Sequence, residues 1–290
     1  MYASTFDYHR ATTLRDAQKL LEQNPGAKLL AGGHSLIPLL KLRLAAPSAL
    51  VDIGRIAELR GIAQQGNAIR IGALTTHAEI ATSAELKKSA AALAEAAAVV
   101  GDPAVRNRGT LGGNVAHADP ASDLPAVLVA LDASFIALGP NGERTIAAGD
   151  FFTGIMTTAL NEHEILVGVR VPASGAGQGS AYVKFSHPAS RYAVIGVAAR
   201  VTVEKGNCTD ARVALGGLLP HARRAPSVER ALVGTKADTA SIAEAAAAVA
   251  ADLGGDVTGD LYASAEYRAA VAPVYIKRAV AAAVARAGLA

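Results

Sequence analysis

A single cysteine, Cys208, stands in the 290-residue chain. An internal disulfide is therefore excluded, and so is any iron–sulfur cluster built only from cysteines of this chain. Cys208 lies in Gly206-Asn207-Cys208-Thr209-Asp210, which reads as a turn, where a lone thiol is more often inert than catalytic. Long apolar runs are also missing. Glu95, Glu244 and Arg286 interrupt the longest candidates before they reach the roughly 18 residues a membrane-spanning helix requires. The mean hydropathy of +0.27 reflects alanine runs such as Ala245-Ala246-Ala247-Ala248. Residues 1–10 hold no apolar segment of secretory type, so the expectation is a cytoplasmic protein. The common nucleotide fingerprints do not occur either. Without G-x-G-x-x-G or G-x-x-x-x-G-K-[ST], neither a Rossmann dinucleotide site nor a Walker loop is supported. H-E-x-x-H, G-x-S-x-G and C-x-x-C are likewise absent. Charge is sparse and scattered, with a net of +3. Its densest basic spots, Arg106-Asn107-Arg108 and Arg223-Arg224, lack aromatic neighbours and argue against a nucleic-acid partner.

Periodicity divides what remains into alternating elements. A helix over about 12–23 carries Leu14, Ala17, Leu20 and Leu21 on one face and stops at Asn24-Pro25-Gly26. A buried strand over 28–31, a short helix over 36–43 and a strand over 49–53 complete a small βαβ-type layer. Segments 62–64 and 68–71 flank Gln65-Gly66-Asn67 as a hairpin, and helices follow over 76–81 and 84–100. Residues 106–123, rich in Gly, Asn, His and Asp, read as a long irregular loop, the kind that is usually functional. Strands are expected over 134–138 and 164–171, around the turn at Asn141-Gly142. Residues 172–179 read as a linker. Beyond it come three strands, over 181–185, 194–203 and 211–215, and helices over 226–233, 239–253 and 263–287, the last breaking at Pro273. The fold class is α+β, in about three pieces.

Two glycine pairs carry the chemical argument. A pyrophosphate needs several backbone N–H groups converging on its oxygens, no Cβ in the way, and preferably a helix N-terminus behind them. Leu30-Ala31-Gly32-Gly33-His34-Ser35-Leu36 offers a strand end, two glycines, a hydroxyl and an incipient helix. Thr110-Leu111-Gly112-Gly113-Asn114 repeats that chemistry. Alone, either pair is more often a tight turn than a ligand site.

Taken together with their flanks, Ile37-Pro38 and Val115-Ala116-His117-Ala118-Asp119-Pro120, the two stretches closely resemble the paired FAD motifs of the molybdenum hydroxylases. The chain as a whole is similar to the separate flavoprotein (medium) subunit of carbon monoxide dehydrogenases and xanthine dehydrogenase-type enzymes. Phe6-Asp7-Tyr8-His9-Arg10-Ala11, Gly72-Ala73-Leu74-Thr75-Thr76-His77 and Tyr182-Val183-Lys184-Phe185 extend the likeness over its length.

The resemblance implies a vanillyl-alcohol-oxidase-like FAD-binding fold. Its two α+β subdomains would span 1–57 and 58–175, and a C-terminal domain with a three-stranded antiparallel sheet and helices would span 176–290. It implies that Leu30, Ala31, Gly32, Gly33, His34, Ser35 and Leu36 cradle the FAD pyrophosphate. Thr110 and Asn114 would hydrogen-bond the cofactor while Gly112 and Gly113 let it approach. His117 falls in the same loop, as a cofactor contact or in a structural hydrogen-bonding role, and Ser122 and Asp123 match further family contacts. Asp123 would accept from a cofactor hydroxyl, or cap the helix that begins beside it. Val100, Leu166 and Lys184 would lie beside the isoalloxazine, the lysine raising its potential, and Tyr192 would cover the ring. Arg191 stands where many relatives carry an acidic residue, which changes the local charge.

In function, the resemblance implies an electron-transfer subunit. A molybdopterin–molybdenum large subunit and a small subunit with two [2Fe–2S] clusters would join this chain in a dimer of heterotrimers, a heterohexamer. Electrons would leave FAD for an external acceptor. A stand-alone flavin oxidoreductase of the same fold, and a non-enzymatic assembly subunit with structural glycine turns, are the competing readings.

Overall fold

The computed structural model describes residues 2–288. Of the four sheets formed by the described residues, three that share no strand organise the chain, and the fourth is a two-stranded ribbon, Phe152–Gly154 with Thr157–Thr158. The first is small and parallel, in the order Asp7–Arg10, Ala49–Asp52, Lys28–Leu30. Its opening strand, Asp-Tyr-His-Arg, is polar and largely exposed, so hydrophobic alternation gives no hint of it. The helix Leu14–Gln23 covers the sheet with Ala17 and Leu21 buried, and the Thr13 hydroxyl accepts from Asp16 N (3.1 Å) at its start.

The second sheet has five antiparallel strands, ordered Ile62–Gln65, Ala68–Gly72, Ile165–Pro172, Ser134–Gly139, Gly142–Ala147. The hairpin at Gly66 is present as expected, with Gly66 at φ +60. Gly142–Ala147 adds the partner strand across the Asn141-Gly142 turn. Phe135 and Phe151 stack with ring centroids 3.9 Å apart in the core beneath this sheet.

Helices pack over the second sheet, and here the structure departs from the periodicity. The helix expected over 84–100 is two, Ala84–Ser89 and Ala91–Val99. Ala90 leaves helical geometry between them (φ −156, ψ 54), and the freed N–H of Ala92 donates to Ser180 Oγ (3.3 Å). The segment 106–123 is not an irregular loop. It holds the end of a helix, Pro103–Arg108, with Asp102 accepting from Val105 N (2.9 Å), and a second helix, Leu111–His117, capped by Thr110. Caps and a proline in the first turn start these helices despite their glycines and polar residues. The next helix, Asp123–Ala130, is buried along its whole length between the second and third sheets.

The third sheet is antiparallel: Gln178–Ser186, Ala193–Glu204, Asn207–Gly216, and a two-residue edge strand, Arg223–Arg224, beyond the three expected. The break between the second and third sheets is short, because Pro172 ends one strand and Gln178 begins the next. The helix Ala265–Ala287 runs unbroken through Pro273. Ala272, Ile276, Ala279, Val280 and Ala283 are buried along it among the apolar residues of the sheet, and that packing outweighs one missing hydrogen bond.

Gly179 lets this helix touch the sheet. A Cβ there would collide with the backbone of Ala283 and Ala287. Arg286 fastens the same contact, donating to Ser180 O (2.5 Å) and pairing with Glu95 on the helix Ala91–Val99. Gly179→Ala is expected to destabilise the protein by about 1–3 kcal/mol, read as a lower urea midpoint at unchanged slope.

Candidate functional site

A cavity of about 870 Å³ opens where the first and second sheets and the edge of the third converge. That is the upper part of the range of cofactor sites, roughly 300–1,000 Å³. Of the site residues expected from sequence, Ala31, Gly32, Gly33, His34, Ser35, Leu36, Val100, Thr110, Gly112, Gly113, Asn114, His117, Ser122, Asp123, Leu166 and Tyr192 all line it. Leu30 and Lys184 do not.

The two glycine pairs do different work. In the first, Gly33 takes φ +75, a conformation that L side chains rarely adopt. Among the described residues, the N–H groups of Gly32, Gly33, His34, Ser35 and Leu36 have no protein acceptor. The Ser35 hydroxyl is free as well, since it makes no cap bond to the helix Leu36–Lys41. His34 donates Nδ1–H to Gly32 O (2.9 Å), which fixes the shape of the turn. Five consecutive unpaired donors at a helix start form a cradle for an anion.

The second pair sits inside a helix, and its donors are taken. Leu111 N donates to Thr75 O (2.9 Å), Gly112 N to Ala73 O (2.8 Å) and Gly113 N to the Thr110 hydroxyl (3.2 Å). Glycine is required here for contact within the protein. A Cβ on Gly112 would meet Ala73 Cβ at 2.5 Å, and one on Gly32 would strike Arg108 O and Gly109 Cα. These missing side chains let the first turn lie directly on the segment leading into the second helix. What that helix offers the cavity is Asn114. Ser122 donates its hydroxyl to Asn114 Oδ1 (2.8 Å), and the Asn114 Nδ2 has no protein acceptor among the described residues.

At the other side of the cavity the wall is apolar, with a buried charge behind it. A β-bulge between Leu166 and Gly168 interrupts the strand register at Leu166, which lines the cavity. Asp123 accepts from Tyr182 Oη (2.6 Å) and from Lys184 Nζ (2.9 Å). Its side chain and that of Lys184 are only 5 % and 4 % exposed, so the lysine is no surface residue. Burial pushes the Asp123 carboxyl up, against the opposing pull of Lys184 and Tyr182. Burial also raises the Tyr182 phenol, which stays a neutral donor. Ser122 occupies the N-cap position of the helix, and the Asp123 side chain is turned to Tyr182 and Lys184.

Lys184 Nζ also donates to Val99 O (3.1 Å), while Arg106 Nη1 donates to Val100 O (3.0 Å) and Gly101 O (3.1 Å). Two cations thus clamp the turn that brings Val100 to the cavity, where helix-end carbonyls gather negative potential. Opposite, Arg144 grips Glu164 through two bonds (2.6 and 2.8 Å) and holds its carboxyl down at about 2. Asn161 N donates to the same carboxylate (2.6 Å), fastening the wall around Leu160–Glu164.

Sequence reasoning missed several polar residues of the wall, Asn161, Glu162, His163 and Glu164 among them, and one that is buried. His77 is 2 % exposed, lines the cavity, and its Nδ1 is buried without a hydrogen-bond partner. Burial, with His34 and Arg106 nearby, pushes its pKa down to about 4. Its signal in the sequence was Gly109: a Cβ there would come within 2.8 Å of the imidazole.

An anion cradle facing a largely apolar wall, in a cavity of this size, defines a nucleotide-cofactor protein. Comparison with known proteins says which kind. Residues 4–174 match the FAD binding domain in molybdopterin dehydrogenase, and residues 180–283 match the CO dehydrogenase flavoprotein C-terminal domain. The chain is 42% identical to the carbon monoxide dehydrogenase medium chain of Hydrogenophaga pseudoflava over 99% of each chain. It is 40% identical to the 6-hydroxypseudooxynicotine dehydrogenase complex subunit alpha of Paenarthrobacter nicotinovorans, over 99% of this chain and 97% of that one. A solved carbon monoxide dehydrogenase from Hydrogenophaga pseudoflava, which lacks the Mo-pyranopterin moiety of its cofactor, superimposes with a TM-score of 0.94 over 99% of each chain. The chain belongs to the family of FAD-binding medium subunits of the molybdenum hydroxylases. The cradle of free N–H groups, the open Asn114 amide and the unpaired His77 fit FAD.

Two outcomes follow from the electrostatics. Lys184→Met leaves Asp123 buried with one neutral donor and is expected to destabilise by about 3–5 kcal/mol. Adding Asp123→Asn should recover much of that loss in chemical denaturation. For His77, the folded pKa lies below the ordinary 6.5, so between about pH 6.5 and 4 the unfolded chain binds more protons. Its stabilising contribution is complete above pH 6.5 and is lost as pH falls through that window, by about 3 kcal/mol. Urea midpoints of flavin-free protein at pH 7 and 4.5 should therefore differ less in His77→Phe than in the wild type.

Proposed function

We propose that this chain is the electron outlet of a heteromeric molybdenum hydroxylase. A large subunit carrying molybdopterin–molybdenum oxidises the substrate, and a small subunit with two [2Fe–2S] clusters conducts the electrons to this chain. The assembly is a dimer of heterotrimers in the cytoplasm. FAD, when bound, supplies an electron store that serves an external acceptor. The observation that carries the reading is the pairing of a built cofactor cavity with one cysteine. The chain has what flavin needs, and it lacks the thiolates that two iron–sulfur clusters need.

The residues divide the labour. Gly32 to Leu36 hold the pyrophosphate through backbone N–H groups, Ser35 adds its hydroxyl, and His34 keeps the turn in shape. Asn114 donates its amide to the cofactor, with Ser122 fixing its orientation; Thr110, Gly112 and Gly113 set the position of that helix. His117 lies along the same wall. Val100 and Leu166 pack against the isoalloxazine, and Tyr192, 44 % exposed at the rim, covers it. Leu30 leads the chain into the turn. Lys184 acts through Asp123: the ion pair presents a nearly neutral, immobile dipole to the flavin, so its effect on the potential is smaller than that of a free ammonium. Regions 1–57, 58–175 and 176–290 are the units that close around the cofactor. Relatives whose names specify carbon monoxide and 6-hydroxypseudooxynicotine resemble this chain about equally, which supports placing substrate choice on another subunit.

Purification tests this. The chain expressed alone should carry about one FAD, seen as a flavin absorption band, with neither iron nor molybdenum. Co-expressed with its large and small partners it should purify as a complex containing all three groups. A colourless chain that cannot be reconstituted with FAD would sink the reading. A yellow chain that oxidises a substrate without any partner would favour a stand-alone flavoenzyme.

A further inference from the structure

His77 opens the helix His77–Thr82 and is held rigidly. Thr76 and Glu79 form a reciprocal capping box around it, its own N–H donates to Gly109 O (3.0 Å), and its ring lies against Gly109. Yet the ring makes no hydrogen bond to any described residue. Nδ1 is sealed from solvent and unpaired, and Nε2, on the edge beside Gly109, has no protein acceptor. A neutral imidazole always carries one N–H, so His77 keeps an unsatisfied polar group whichever nitrogen holds the proton. A phenylalanine or leucine would fill the same space without that penalty. The sealed Nδ1 is beyond a ligand's reach and costs less as a bare acceptor than as a bare donor, so the proton sits on Nε2, and that N–H without a protein acceptor is the group a ligand in the cavity can complete.

The position identifies the part of the ligand. His77 N is bonded to Gly109 O, and Gly32 of the first turn lies against that same Gly109 and the carbonyl of Arg108. His77 therefore shares its corner of the cavity with the free N–H groups of the first glycine turn. Accepting FAD in this cavity, we infer that His77 is a cofactor-binding residue whose Nε2–H donates to an acidic oxygen of the pyrophosphate. Its low proton affinity keeps the ring neutral at ordinary pH, a donor that adds no repulsion toward Arg106 when the site is empty.

The test compares FAD, ADP and riboflavin binding to flavin-free wild-type protein, His77→Phe and His77→Gln by calorimetry, with thermal midpoints alongside. Wild-type protein that binds no FAD would overturn the cofactor reading itself, and with it this inference. Given wild-type binding, His77→Phe should weaken FAD and ADP by a similar factor, about tenfold to a hundredfold. Riboflavin binding and the thermal midpoint of the empty protein should hold or improve, and His77→Gln, which retains a donor, should restore part of the FAD affinity. Unchanged FAD and ADP affinity in folded His77→Phe would overturn the assignment and leave His77 as packing; so would a loss seen with riboflavin but not ADP. Should His77→Phe fail to fold, imidazole ¹⁵N resonances of the wild type decide. ADP should raise the pKa of His77, beside His34 and Arg106, and an unmoved titration would refute the contact.

Discussion

The cavity exists because backbone touches backbone. At Gly32 the first turn lies on the carbonyl of Arg108 and the Cα of Gly109, and at Gly112 the second helix lies on Ala73. One methyl group at Gly32 would push the first turn off that segment, and one at Gly112 would push its helix off Ala73, since protein interiors have little slack to absorb it. The distance between the free N–H groups of the first turn and the Asn114 amide is set by those contacts. So is the place of His77, whose ring occupies the room that Gly109 leaves. The glycines of the second motif act one step back from the ligand. They are the reason the donors of the first motif face a wall at all.

Charge is handled with similar economy. Asp123 and Lys184 are buried together, tied to Tyr182 on the third sheet and to the end of the helix Ala91–Val99. A buried pair of this kind adds little net stability, because desolvation offsets attraction. What it does provide is orientation. The carboxylate has two fixed donors, the ammonium two fixed acceptors, and neither can swing when the flavin changes charge. Arg106 does the same for the carbonyls of Val100 and Gly101.

Much of this was legible in the residues. The strand-like stretches 181–185, 194–203 and 211–215 marked the third sheet, and the position of both glycine pairs located the cavity. What could not be read had physical causes. The pair Gly112-Gly113 looks like a turn because glycine disfavours helices, yet the Thr110 cap and packing on Ala73 hold it helical. Pro273 looks like a break, yet burial of its neighbours keeps the helix whole. Lys184 and Asp123 lie 61 residues apart, and no local pattern joins them. His77 follows two threonines in an ordinary capping box, and only the three-dimensional setting shows that its ring lacks a partner.

The three larger sheets share no strand, and one cavity is lined by strand residues of the first two and by the loop 190–192 of the third. Ligand occupancy and the mutual docking of the sheets are therefore a single thermodynamic event, strengthened by RT ln(1 + [L]/Kd) as the cofactor becomes available. Seen from the cell, such a subunit reports its own loading. A chain short of flavin forgoes that stabilisation, and a loaded one has it. The architecture thus ties the stability of each copy to the supply of its vitamin-derived cofactor.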